Sequence, residues 1–170
     1  PVIKIKNIQD NQTLDVKDID FVNLTNRKID NKFKAEAGNI VIAMTGATIG
    51  KFALVPKAEI DFYINQRVGY FDLGENPVAR LPFLINSLNM DYFRDSIFTL
   101  ASGAAQPNIS NAQINDIILL TPPNELIKRF NSMVSANYES ILNNQFTNQK
   151  LAELRDWLLP MLMNGQATVQ

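Results

Sequence analysis

The chain contains no cysteine and no histidine. The first absence rules out disulfides, thiolate nucleophiles and cysteine-based zinc sites, and the second rules out a Ser-His-Asp triad. Without disulfides, oxidation contributes nothing to the fold, which is compatible with a cytoplasmic home. Charged residues are sparse, at 19%, too few for a solvated disordered chain. No apolar run approaches the roughly 18 residues that span a bilayer, and no signal peptide is visible, so no membrane partner is expected. The opening Pro1-Val-Ile-Lys-Ile lacks an initiator Met and starts in strand pattern, which predicts a fragment or processed product without its first element.

What the chain does contain is a sizeable apolar fraction, 46% of 170 residues, enough for one domain and an appendage. Sixteen basic and 17 acidic side chains nearly cancel. Their distribution is uneven, because most of the basic residues fall in residues 1–70. Any basic face is therefore expected in the first part of the chain.

Val2, Ile3, Ile5 and Ile8 read as a strand with Lys4 and Lys6 interleaved. Residues 10–37 read as irregular, with Phe21, Val22, Leu24, Ile29 and Phe33 as anchors and a short helix near 26–31. Gly38-Asn39 marks a turn before a buried strand over 40–44, and Pro56 stops a second strand over 52–55. A further strand region holds Phe62, Ile64, Val68, Tyr70 and Phe71, with Asn65-Gln66-Arg67 at its centre. From 77 to 100 the apolar period changes to three and four, which is helical. Asn89-Met-Asp breaks that run in two, and Pro82 is assigned to a first turn. Residues 102–110 form a loop, Ser110 or Asn111 caps a short helix, and 117–121 read as a strand closed by Pro122-Pro123.

Residues 124–162 carry no glycine, and no proline before Pro160, and predict one long helix ended by Gly165. A seam through Ile127, Phe130, Val134, Asn137, Ile141, Asn144, Asn148, Leu151 and Leu158 alternates threes and fours with a polar middle, a coiled-coil rhythm. No other helix is long enough to cover it, so a homodimer through Ile127, Phe130, Val134, Ile141, Leu151 and Leu158 is expected. The fold class is α+β: a small mixed or antiparallel sheet domain over 1–122, a long helix over 123–164 and a tail over 165–170.

The run Met44-Thr-Gly-Ala-Thr-Ile-Gly-Lys-Phe has the look of a phosphate loop. It has three residues between its glycines where that motif needs four, and Phe52 stands where a metal-binding hydroxyl belongs. Strand follows it, so there is no helix N-terminus to receive phosphate. A hairpin turn is the better reading. Asp18-Ile-Asp20 has a spacing that puts two carboxylates on one strand face and could hold Mg²⁺, against the plainer reading of a solvated acidic loop. No second cluster completes a metal site, and no catalytic constellation is present.

The polar residues in turns suggest a different chemistry. Thr45, Thr48 and Lys51 share one turn, Asn65, Gln66 and Arg67 another region, and Gln106 and Asn108 the following loop. Arg, Gln and Asn form bidentate bonds to base edges, while Lys and Thr suit phosphates. Together with Lys4 and Lys6 they are the candidate DNA-binding residues.

Five motifs in order carry a resemblance. Gly38-Asn-Ile-Val-Ile-Ala-Met-Thr-Gly-Ala-Thr-Ile-Gly-Lys precedes Ile64-Asn-Gln-Arg-Val, then Gly103-Ala-Ala-Gln-Pro-Asn-Ile-Ser, then Ile117-Ile-Leu-Leu-Thr-Pro-Pro. Lys150-Leu-Ala-Glu-Leu-Arg-Asp-Trp-Leu-Leu-Pro-Met-Leu-Met-Asn-Gly closes the series. In this order they resemble the specificity subunits of type I restriction–modification systems. The resemblance implies a target recognition domain that reads half of a bipartite site in double-stranded DNA, followed by a conserved-region helix. It implies antiparallel helix pairing that sets the half-site distance, and docking of methyltransferase and restriction subunits on that scaffold. It implies no catalysis and no cofactor in the subunit itself. A complete subunit of that family carries two recognition domains and two helices, so this chain resembles a half-subunit. The family's usual glutamine near the helix start is missing from Pro122-Pro-Asn-Glu-Leu-Ile.

Overall fold

The computed structural model describes residues 1–23, 30–102 and 106–166. The architecture is α+β: among the described residues there are two three-stranded sheets, three short α-helices and one long one. The strands are β1 (Val2–Ile3), β2 (Lys34–Ala35), β3 (Ile40–Ala43), β4 (Phe52–Leu54), β5 (Phe62–Ile64) and β6 (Val68–Phe71). The helices are α1 (Pro77–Leu88), α2 (Asp91–Ala101), α3 (Asn111–Asn115) and α4 (Asn124–Met163).

The central sheet has the order β4-β3-β6, all antiparallel. Its unbroken apolar run over 40–43 reflects burial on both faces. Ile40, Ile42, Phe52 and Leu54 face a core built with α1, α2, α3 and Leu142 of α4. Val41, Ala43, Ala53 and Val55 face a second core with Ile3, Ile8 and Phe62. That second core belongs to the other sheet, of order β1-β5-β2, in which β1 runs parallel to β5 and β2 antiparallel to it. Side-chain alternation along a strand thus supplies two different cores from one ribbon.

Helix α1 starts with Asn76 as N-cap, its side chain accepting from Ala79 N–H, and with Pro77 in the first turn. Pro82 lies inside the helix, so its assignment to a first turn is corrected. It has no N–H to give to the preceding turn. The next donor, Phe83 N–H, reaches across to the buried Asn131 Oδ1 on α4 at 2.9 Å. The break predicted near Asn89 separates α1 from α2, and Ser110 caps α3 in a capping box with Gln113.

Two further sequence expectations change. The opening strand ends at Ile3, and residues Ile5–Asn7 form a 3-10 turn. The buried Asn7 side chain drives this turn, accepting from Lys4 N–H and donating to the carbonyls of Asp15 and Asp18. Residues 117–121 belong to no sheet. They keep strand-like alternation, with Ile117 and Leu119 packed on the core and Ile118 and Leu120 exposed, but no strand among the described residues pairs with them. The helix expected near 26–31 lies mostly on residues 24–29, which with the anchors Leu24 and Ile29 are outside the described residues, while Asn31 belongs to the 3-10 turn Asn31–Phe33.

Helix α4 is 40 residues long and closes at Gly165, whose φ of 68° suits a left-handed cap. The sequence reading left α4 without an intrachain partner, and the structure gives its inner face one. Asn131 and Leu142 are buried, Tyr138 packs on the core, and burial pushes the Tyr138 phenol up. Lys57 donates to Asn143 at 2.7 Å, and Lys150 pairs with Glu59 at 3.1 Å. The predicted seam mixes two stripes. Ile127, Val134 and Leu158 are half-buried, while Phe130, Ile141 and Leu151 are exposed on the outer side.

Candidate nucleic-acid interface

Strand directions determine where the polar turns meet. β3 ends at Ala43, opposite the start of β6 at Val68. β4 returns antiparallel to β3, so Lys51 lies at the same end. β1 and β5 are parallel, and Ile3 pairs with Ile64, so Lys4 and Asn65 also emerge there. Strand direction, with the main-chain bonds below, therefore brings the candidate DNA-binding residues to one rim of the domain, although they come from four separate segments.

Main-chain hydrogen bonds hold these segments together. Met44 N–H donates to the Arg67 carbonyl at 3.0 Å, and Ile109 N–H donates to the Met44 carbonyl at 3.0 Å. Gly46 N–H donates to the Pro107 carbonyl at 3.0 Å, and Thr45 pairs with Asn108 in an antiparallel bridge. Asn65 N–H donates to the Ile3 carbonyl at 2.9 Å, tying the neighbouring sheet into the same rim.

Asn65, Gln66 and Arg67 are not the middle of one strand. They form the turn between β5 and β6, closed by Val68 N–H to the Asn65 carbonyl and by Arg67 N–H to Asn65 Oδ1. The local sequence could not distinguish these cases, since apolar residues flank the triplet equally on both sides. The turn exposes Gln66 and Arg67, and the adjoining loop exposes Gln106 and Asn108. Gln106 lies over the glycine turn: a Cβ added at Gly46 would stand 3.8 Å from its Nε2. The remaining loop residues 103–105 lie outside the described residues.

The glycine-bearing turn itself is a hairpin connection. Its residues Gly46–Thr48 make one 3-10 turn, Gly46 and Gly50 both take positive φ, and strand β4 follows. A Cβ at Gly50 would meet Ile97 of α2 at 3.1 Å, so this glycine also permits close packing. Thr45 turns its hydroxyl inward, where Oγ1 is buried and finds no partner among the described residues. Thr48 is half-buried.

The basic residues of the rim are mostly engaged. Lys4 pairs with Asp20 at 2.9 Å, and Lys6 pairs with Asp18 at 3.0 Å and Asp20 at 3.3 Å. Lys51 pairs with Asp10 at 2.5 Å. The bond to Asp18 raises the Lys6 ammonium above its ordinary value, and the bonds from Lys4 and Lys6 hold the Asp20 carboxyl below the usual carboxylate range. Arg67 has no carboxylate partner among the described residues. Asp18 and Asp20, whose spacing suits a cation, thus face ammonium groups. Among the described residues no group of three Asp, Glu, His or Cys is placed to hold a metal.

The sequence reading missed the acidic members of this rim. A signal was present: Lys4 and Lys6 share the same two-residue spacing as Asp18 and Asp20, which suits pairing across two adjacent segments. Nothing local announced Asp10 as the partner of Lys51.

No helix among the described residues is long and apolar enough to cross a membrane. No protein-family model matches the chain. Two characterised proteins are similar to it. The specificity subunit of the type I restriction enzyme HindI from Haemophilus influenzae is 28% identical over 167 residues, covering 98% of this chain and 35% of that protein. The specificity subunit of the type I restriction enzyme MjaIX from Methanocaldococcus jannaschii is 32% identical over 68 residues, covering 40% of this chain and 16% of that protein. The chain spans about a third of the length of the first. The order of motifs along the sequence and this near-complete alignment agree: the chain is homologous to the specificity subunits of type I restriction enzymes.

Proposed function

We propose that this chain is a non-catalytic, sequence-specific DNA recognition subunit of a type I restriction–modification system. Residues 1–122 form the recognition unit, which reads one half of a bipartite duplex target. Residues 123–164 form the scaffold on which methyltransferase and restriction subunits dock. The observation that carries this reading is the convergence of three polar turns on one rim. Gln66, Arg67, Gln106 and Asn108 are exposed together there, and their side chains suit base edges. Lys4, Lys6, Thr48 and Lys51 flank them as phosphate contacts, and Thr45 and Asn65 support the turns.

The outer stripe of α4 supports a homodimer. Phe130, Ile141 and Leu151 are exposed at 40%, 42% and 57%. A two-fold dimer would present two identical rims and read a symmetric, interrupted site.

The test is methylation mapping in cells that carry the chain with its methyltransferase subunit. Exchanging residues 1–122 for those of a homologue with another target is expected to move the methylated motif. Unchanged methylation after the exchange refutes the reading. A second reading, a scaffold that docks proteins through α4 and never touches DNA, is favoured by the ion pairing of the rim lysines. Duplex binding that responds to Arg67→Ala eliminates it.

A further inference from the structure

Three of the four basic groups on the rim are already neutralised, and all three carboxylates come from one short segment. That segment is held in place by the main chain. Val2 N–H donates to the Asp20 carbonyl at 2.7 Å, Asn7 Nδ2 donates to the Asp18 carbonyl at 3.0 Å, and the Ile8–Leu14 bridge closes the turn that carries Asp10. Asp10 and Asp18 are also the outer members of their pairs. Their side chains are 85% and 79% exposed, against 38% for Lys51 and 44% for Lys6. A group approaching these lysines from solvent meets a carboxylate first.

We propose that the carboxylates of Asp10, Asp18 and Asp20 stand in the places of DNA phosphates in the free protein, and that duplex DNA engages this rim by exchanging phosphate for carboxylate. The inference rests on the DNA reading of the rim. Exposed ion pairs are individually weak and exchangeable. Their effect is to withhold the lysines from indiscriminate phosphate contact, which supplies nearly all non-specific affinity. Discrimination is then left to the base-reading turns, because specificity is the ratio of specific to non-specific binding. On exchange the freed carboxylates take up cations, which offsets part of the counterion release that DNA binding otherwise produces.

The experiment measures anisotropy of a fluorescein-labelled duplex of mixed sequence, titrated with the full chain across a series of KCl concentrations. The variant Asp10→Asn/Asp18→Asn/Asp20→Asn is compared with the wild-type chain and with Glu36→Gln/Asp72→Asn/Glu75→Gln. The comparison triple loses the same charge at the opposite end of the central sheet, where β3 begins and β6 ends. The rim triple is expected to bind on the order of tenfold tighter than wild type, with a steeper salt dependence. The comparison triple is expected to change affinity about twofold at most, since it is screened from the rim. Asp10→Asn alone, in an exposed turn, should give a few-fold gain and guards against misfolding of the triple. Equal gains from the two triples overturn the exchange and leave only bulk charge, with the DNA reading intact. Absence of duplex binding by all of these proteins overturns both.

Discussion

Replacing Asn131 by Ala removes the side chain that joins α4 to α1. Asn131 Oδ1 accepts the Phe83 N–H at 2.9 Å, and the residue is 7% exposed. With the acceptor gone, that part-buried N–H loses its side-chain partner across the two helices. A buried donor left without a partner costs about 1–3 kcal/mol. Against this, Ala is a better helix former than Asn by up to about 0.7 kcal/mol. The net expectation is a loss of roughly 0.3–2.3 kcal/mol. Asn137 sits on the exposed side of the same helix, where Asn→Ala keeps the propensity gain and breaks nothing, so it should stabilise by up to about 0.7 kcal/mol. The same substitution, six residues apart in one helix, is thus predicted to have opposite signs. Urea denaturation followed by circular dichroism measures both midpoints. An Asn131→Ala midpoint at or above that of Asn137→Ala would refute the assignment of Asn131 as the link between the two helices.

Leu142→Ala empties a fully buried position beneath the central sheet and should cost about 2–5 kcal/mol in the same assay. The Asp20 carboxyl is held below its ordinary value near 3.8. Its pairing therefore stabilises the fold above that value and is lost as pH falls through the lower folded one, so Asp20→Asn should flatten the acid limb of a stability titration below about pH 4. An unchanged limb would remove the pairing with Lys4 and Lys6 from the energetics. Arg67→Ala is expected to relax sequence preference at one base pair by about 1–3 kcal/mol while leaving other positions as they were, read by competition with a panel of single-base variants. Leu151→Asp combined with Phe130→Asp should shift sedimentation toward the monomer without loss of helicity, since both side chains are exposed in the single chain.

How much could be read beforehand depended on whether the signal was local. Ile40–Ala43 and Phe52–Leu54 announce themselves by apolar runs with glycine and proline at their ends. The change to helical period after Pro77 and the uninterrupted stretch that becomes α4 are equally local. The failures concern partners far along the chain. Val2, Ile3 and Ile5 look like one strand until Asn7 is seen to bind the carbonyls of Asp15 and Asp18, which pulls the chain into a turn. Residues 117–121 have the alternation of a strand, but alternation records which side is buried and says nothing about whether a neighbour exists to hydrogen-bond. The seam on α4 was legible as a rhythm. Its division into an inner and an outer stripe was not, because that depends on α1 lying against Asn131. The candidate residues could be named singly from the sequence, while their ionic state could not, since Asp10 and Lys51 are brought together only by the fold.

The rim is joined through main-chain atoms: Met44 to Arg67, Ile109 to Met44, Gly46 to Pro107 and Asn65 to Ile3. Backbone amides are common to nearly all residue types, so these bonds survive when the side chains beside them change. Substitutions at Gln66, Arg67, Gln106 or Asn108 leave the two cores and the stitching between segments untouched. The outward side chains of the rim can therefore change at little cost in folding stability. A frame that separates its own cohesion from the identity of its outward side chains tolerates change at its surface.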